Sequence, residues 1–136
     1  MRPETAISLA LHALFIEKGG VKLGYREDVL AKLRTLRSNS IPVPGVRIRP
    51  GVDGDYSDEV SDFVGRLAIA GYAIQESPIE LTPKGVQLIR RHLLENIEDP
   101  ALQNGAKVLA VSLEVLKQAG PSSETPPTLP NVSLSA

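Results

Sequence analysis

Six cationic side chains hold the clearest chemistry in this sequence: Lys32, Arg34 and Arg37 in one stretch, Arg47 and Arg49 two residues apart, and Arg66 further on. A guanidinium is a planar fork of donors that matches the paired oxygens of a phosphate or a carboxylate. In Val46-Arg47-Ile48-Arg49, apolar and basic residues alternate. On an extended strand that pattern puts both arginines on one face. The chemistry expected of this set is recognition of phosphate, as in double-stranded DNA, or of an acidic partner. The competing expectation is that the same cations form surface ion pairs with the acids of a nearby helix.

Other reactive types are sparse. The chain of 136 residues has no cysteine, which removes disulfides, thiolate metal sites and thiol nucleophiles. The two histidines, His12 and His92, fall on separate helical stretches without ligand-spaced carboxylates beside them, and both read as helix-face residues. Asp53, Asp55, Asp58, Glu59 and Asp62 form an acidic cluster. Its spacing does not follow a calcium loop with a closing glutamate, and acids at a helix N-terminus account for it. No phosphate-binding glycine loop, G-x-S-x-G or H-E-x-x-H occurs. No enzymatic activity, metal site or cofactor is expected.

The net charge is −1, yet the charges are unevenly distributed. Residues 1–50 hold nine basic against four acidic side chains, and residues 51–99 hold four against ten. Either the chain carries a basic face, or its two halves complement each other across the fold. Hydrophobic content of 42% and charged content of 23% are those of a soluble globular domain. The apolar segment near the start is preceded by Glu4, interrupted by His12 and followed by no small-residue cleavage site. It reads as an amphipathic helix of a cytoplasmic protein rather than as a signal peptide.

The elements that must position these residues follow from periodicity. Ile7, Leu11, Leu14 and Phe15 share a helical stripe over 4–18, which Gly19-Gly20 terminates. After a short Val21-Lys22-Leu23-Gly24 link, Tyr25, Val29, Leu33 and Leu36 predict a second helix over 25–38. Three prolines and three glycines keep 39–55 out of any helix, apart from the strand expected at 46–49. Ser57 caps a third helix over 57–70 with Val60, Phe63, Val64 and Leu67 inward. Tyr72-Ala73-Ile74 and Ile79-Glu80-Leu81 predict a hairpin around the four-residue turn 75–78, with Ile74, Ile79 and Leu81 tucked beneath it. Thr82-Pro83 starts a fourth helix with Val86, Ile89, Leu93 and Ile97 on one stripe, and Asp99-Pro100 starts a fifth that is expected to run to 119. The tail from 120 to 136, rich in Pro, Ser and Thr, is expected to be disordered.

The segment 54–85 resembles the later half of prokaryotic winged helix-turn-helix domains. The likeness rests on a helix ending in L-x-x-x-G-Y, then a hairpin, then L-T-P-K-G opening a helix. Here Leu67, Gly71, Tyr72, Leu81, Thr82, Pro83, Lys84 and Gly85 carry it. Gly54-Asp55-Tyr56-Ser57 is similar to the G-P-Y-S turn of some bacterial and archaeal winged-helix proteins and antitoxin-like domains, with Asp55 where proline would stand. The resemblance spans about a quarter of the chain. It implies a mostly α (α+β) winged-helix domain over 1–98, with a short two-stranded wing and an extra C-terminal helix over 99–119. It also implies a superfamily of transcription regulators, antitoxins and protein-interaction modules.

In the usual docking mode, the helix before the wing enters the major groove. Here that helix offers Asp58, Glu59 and Asp62 and a single cation, Arg66, and the wing tip carries Glu76 without a cation. Any grip on duplex DNA is therefore expected from Lys32, Arg34, Arg37, Arg47 and Arg49 together with Arg66, and Lys84 with Arg90-Arg91 is a lesser candidate. Leu102, Ala106, Leu109, Leu113 and Leu116 follow the 4-3-4-3 spacing of a coiled-coil seam. They predict a helix that covers the core, forms a homodimer interface through Leu102, Leu109, Leu113 and Leu116, or does both. The first functional expectation is a DNA-binding transcription regulator or antitoxin-like protein. The second is a winged-helix module that binds another protein and not DNA.

Overall fold

The computed structural model describes residues 1–119, so the expectation of a disordered tail over 120–136 lies outside the described residues. The chain is an α+β structure built around its first helix, α1 (Pro3–Lys18). The ten consecutive residues from Thr5 to Leu14 are all buried. A helix apolar on one stripe packs on a surface, whereas one enclosed all round is the core itself. Around α1 stand α2 (Arg26–Ser38), α3 (Asp58–Ile69), α4 (Pro83–Glu95) and α5 (Pro100–Val108). Gly19 ends α1 in the left-handed conformation, its N–H donating to the Phe15 carbonyl.

Val29, Leu33 and Leu36 face the core of α2 as expected, joined by Leu30. Tyr25 does not, because it is the N-cap residue and is half exposed. Its backbone N–H donates to Asp28 Oδ2 at 2.7 Å, which fixes the helix start. In α3 the inward set Val60, Phe63, Val64 and Leu67 is fully buried, and Ser57 Oγ accepts from the Val60 N–H at 3.3 Å. Ile97 lies outside α4, which stops at Glu95 with Asn96 as its C-cap.

The sheet has three antiparallel strands in the order β1-β3-β2: β1 (Lys22–Gly24), β2 (Ala73–Glu76) and β3 (Ile79–Leu81). The segment read as a link after α1 is thus the third strand, too short for an alternation to announce it. Leu23 is fully buried, and the Leu81 N–H donates to the Val21 carbonyl at 3.0 Å. The β2–β3 turn is tighter than the four residues expected, with only Ser77 and Pro78 outside the strands. Ile79 and Leu81 tuck inward, but Ile74 is 67% exposed. The register slips between Ala73 and Gln75, and this bulge turns Ile74 away from the core.

The hairpin is clasped at its base. The Tyr72 N–H donates to the Leu67 carbonyl of α3 at 2.8 Å, and the Tyr72 carbonyl accepts from the Thr82 N–H at 3.0 Å and the Thr82 hydroxyl at 3.3 Å. Thr82 Oγ1 also caps α4 by accepting from the Gly85 N–H at 3.1 Å. A Cβ at position 85 would collide with the Tyr72 carbonyl oxygen, so only glycine lets α4 start this close to the hairpin. The Gly-Tyr and Thr-Pro-Lys-Gly motifs are therefore two halves of one junction.

The stretch expected to form a fifth helix to 119 divides into α5 and α6 (Glu114–Ala119). Val111 N–H donates to the Ala106 carbonyl at 2.7 Å and Ala110 N–H to the Lys107 carbonyl at 3.1 Å, with Ala110 at φ 58°. This is a Schellman ending built on alanine instead of glycine. Burial of Val111 offsets a left-handed alanine that costs about 1–2 kcal/mol. The sequence holds no glycine or proline there to mark the break.

Candidate functional site

The expected strand at 46–49 is not one. Among the described residues its only ladder contact is an isolated bridge between Arg49 and Tyr56, with Arg49 N–H to Tyr56 O at 2.8 Å and the reverse bond at 2.9 Å. Side chains take up three further backbone groups here. Arg37 Nη2 donates to the Val43 carbonyl at 2.9 Å and also to the Val46 carbonyl. Glu59 Oε1 accepts the Arg47 N–H at 2.7 Å. The bond from the Arg47 N–H, followed by bonds from its own N–H and the Ser57 hydroxyl, holds the Glu59 carboxyl below its ordinary value. The alternation survives without a strand: Val46 is buried and Ile48 half-buried, while Arg47 and Arg49 are both exposed.

The cations of the expected patch have unequal fates. Lys32 pairs with Glu17 of α1 at 2.7 Å, and this hydrogen bond lowers the Glu17 pKa. Arg34 pairs with Asp55, tying α2 to the far end of the loop. Arg37 is committed to the two loop carbonyls. Arg66 lies 3.2 Å from Asp62 one turn earlier on α3. Arg47 and Arg49 make no ion pair among the described residues. The fold thus gathers Arg34, Arg37, Arg47 and Arg49 around one loop, and leaves Lys32 and Arg66 apart from it. The lesser set is divided too, since Arg91 pairs with Glu95 at 3.1 Å while Lys84 is exposed at the start of α4.

The leucine seam is broken by the α5–α6 junction. Leu102 and Leu116 are buried in the chain's own core, and Leu109 and Leu113 are half-buried against it. Val115, 49% exposed, is what this region turns outward.

Sequence reasoning missed four features. Glu76, at the hairpin tip, pairs with Arg26 of α2 at 3.4 Å. Tyr56 and Val52 stand exposed on the loop beside the arginines. Both histidines are buried, His12 at 3% and His92 at 4% exposure. Together with Thr5 and Ser8 they make a polar seam where α1 packs on α4. Its signal was present in the sequence, since Thr5, Ser8 and His12 recur at helical spacing inside an apolar run. Burial, and then the charge of Arg90, hold the His12 pKa down to about 4, and burial lowers that of His92.

Among the described residues, no three His, Asp or Glu side chains gather closely enough to hold a metal ion, and no helix is long and apolar enough to cross a membrane. Compared with protein families, curated proteins and solved structures, the chain matches none.

Proposed function

We propose that this chain is a winged-helix module that binds another protein. The fold component of that reading rests on the order of elements: helix, short strand, two helices, hairpin, helix, with the first strand closing a three-stranded sheet beside the hairpin. In such a plan α3 is the recognition helix and β2–β3 the wing. The observation that carries the functional component is the engagement of the cations. Of the six that would hold phosphate, Lys32, Arg34 and Arg66 face carboxylates and Arg37 faces two carbonyls. Asp58 stands exposed in the first turn of α3, where a phosphate backbone would have to approach. Affinity for duplex DNA grows with the number of phosphates neutralised, so two remaining arginines give little of it. Exposed apolar residues on either side of the Gly71 turn, Ile69 and Ile74, suit a protein partner better than a phosphate backbone.

The DNA-binding reading keeps one observation in its favour: Arg47 and Arg49 are exposed close to the N-terminus of α3 and make no ion pair among the described residues. Titrating the protein into a fluorescent random duplex at low and at physiological salt separates the two readings. Protein binding predicts no change in anisotropy at either salt concentration, together with a stoichiometric protein complex recovered from native lysate. Tight low-salt binding that collapses as salt rises, and is abolished by Arg47→Ala with Arg49→Ala, would establish DNA binding instead.

A further inference from the structure

The polar seam between α1 and α4 is incompletely paired. His92 Nε2 meets Thr5 Oγ1. His92 Nδ1, Ser8 Oγ, Arg90 Nε and both ring nitrogens of His12 are enclosed without a hydrogen-bond partner among the described residues. Each stranded polar atom takes stability from the interface that encloses it. α4 packs on α1, β3 and α6, so this seam is its main hold on the core. α2, by contrast, meets α1 with Val29, Leu30, Leu33 and Leu36 buried and with Lys32 paired to Glu17. The base of the hairpin is tied to α4, because Thr82 both caps that helix and bonds the Tyr72 carbonyl.

The charges around the two rings give an added proton little support. His12 packs in a shallow groove with Leu11, Phe15, Leu81, Val86 and Ile89, its ring stacked on Phe15 with centroids 6.3 Å apart. Burial, and after it the Arg90 cation of α4, keep a proton off this ring. On β3, Glu80 alternates with the buried Ile79 and Leu81 and so faces the other side of the sheet. On α1, Glu17 is drawn to Lys32 on the α2 side. For His92, burial disfavours the proton most; Glu95 and Glu4 favour it, and Arg2 opposes it. No carboxylate ion-pairs with either ring among the described residues. Separating α4 from α1 gives both rings water, and with it the proton that the closed seam refuses.

We infer that α4 and the base of the hairpin form an acid-released strap, which leaves α1 as His12 and His92 take up protons while α2 stays packed. The inference does not depend on what the chain binds. Amide hydrogen exchange of the full chain, at about pH 7.5 and about pH 5 and corrected for intrinsic rates, tests it. The amides of Thr82, Ile89 and Leu93 are expected to open about tenfold or more readily at the lower pH. At that pH they should also open about tenfold more readily than those of Leu33 and Leu36 in α2. His12→Leu should cut the acid response of α4 severalfold. Equal opening of α4 and α2 in acid would mean that protons act on the whole fold, and overturns the strap. So does a response that His12→Leu leaves unchanged. Should that variant not fold, NMR titration of the two imidazoles in the wild type decides. Rings still neutral at about pH 5 in the closed protein support the strap, and rings that titrate near the ordinary 6.5 overturn it.

Discussion

Thr5 Oγ1 and His92 Nε2, 87 residues apart in the chain, lie 2.9 Å from each other in the buried seam between α1 and α4. The bond ties the first turn of the central helix to the last turn of the helix that follows the hairpin. A buried polar group deprived of its partner costs about 1–3 kcal/mol. Thr5→Val keeps the shape and strands the imidazole nitrogen, so it is expected to lower stability by about that amount in urea unfolding. Thr5→Val with His92→Leu removes both polar partners and should lose less than the sum of the two single changes. Wild-type stability in Thr5→Val would mean that the bond contributes nothing.

The same seam should make the protein sensitive to acid. His12 has a folded pKa of about 4 against an ordinary 6.5, so above pH 6.5 it is neutral in both states and its contribution is complete. As pH falls through 6.5 the unfolded chain takes up a proton that the folded chain refuses, and stability drops until about pH 4. His92 is shifted in the same direction. The loss from His12 should amount to about 2 kcal/mol between pH 7.5 and 5, before most carboxylates protonate. Urea unfolding across that window checks it. His12→Leu should flatten the slope, and an equally steep slope in that variant would place the acid sensitivity elsewhere.

Wherever a local rule was enough, the sequence was legible. Ser57, Thr82 and Asp99 each cap the helix they were read to cap, because an N-cap needs only one side chain and the next turn. The β2–β3 hairpin was legible for the same reason, bounded by Gly71 and Thr82-Pro83. What was lost depended on distant partners. Leu23 joins a sheet only because β3, more than fifty residues later, comes to lie beside it. Residues 46–49 have strand alternation but not a strand, since Arg37 and Glu59 take up their backbone groups. The leucine seam was read on a straight helix, and only the burial of Val111 explains the turn at Ala110 that breaks it. For the candidate site, residue types were legible but their availability was not. Nothing local foretells that Arg34 meets Asp55 or Lys32 meets Glu17, while Arg47 and Arg49 meet no carboxylate among the described residues.

Gly85 tests the junction beneath the hairpin. A methyl group there would collide with the Tyr72 carbonyl oxygen and sit 3.0 Å from its carbon, against backbone that has no rotamer to yield. Overpacking of that kind costs about 1–3 kcal/mol, and a backbone obstacle puts the change at the upper end. Gly85→Ala is therefore expected to lower the melting temperature clearly. Gly71→Ala, where nothing crowds the site and only the φ of 82° is strained, should lose about 1–2 kcal/mol. A Gly85→Ala protein as stable as wild type would show that α4 can start further from the hairpin than described.

Arg37 and Arg34 both brace the α2–α3 loop, but by different physics, and their removal should differ accordingly. Arg37 donates to the Val43 and Val46 carbonyls, one of which belongs to a residue only 2% exposed. Arg34 meets Asp55 where both side chains are nearly half exposed, and such a pair is worth about 0–1 kcal/mol. Hydrogen bonds from a charged donor to enclosed carbonyls are worth about 1.5–3 kcal/mol, so Arg37→Ala is expected to be the more damaging. The sharper measure is local. Amide exchange at Arg49 and Tyr56, whose N–H groups bond each other's carbonyls, should accelerate in Arg37→Ala far more than in Arg34→Ala. If the two substitutions speed exchange equally, the loop is held by its ion pair or by its buried valines, and the anchoring role assigned to Arg37 is wrong.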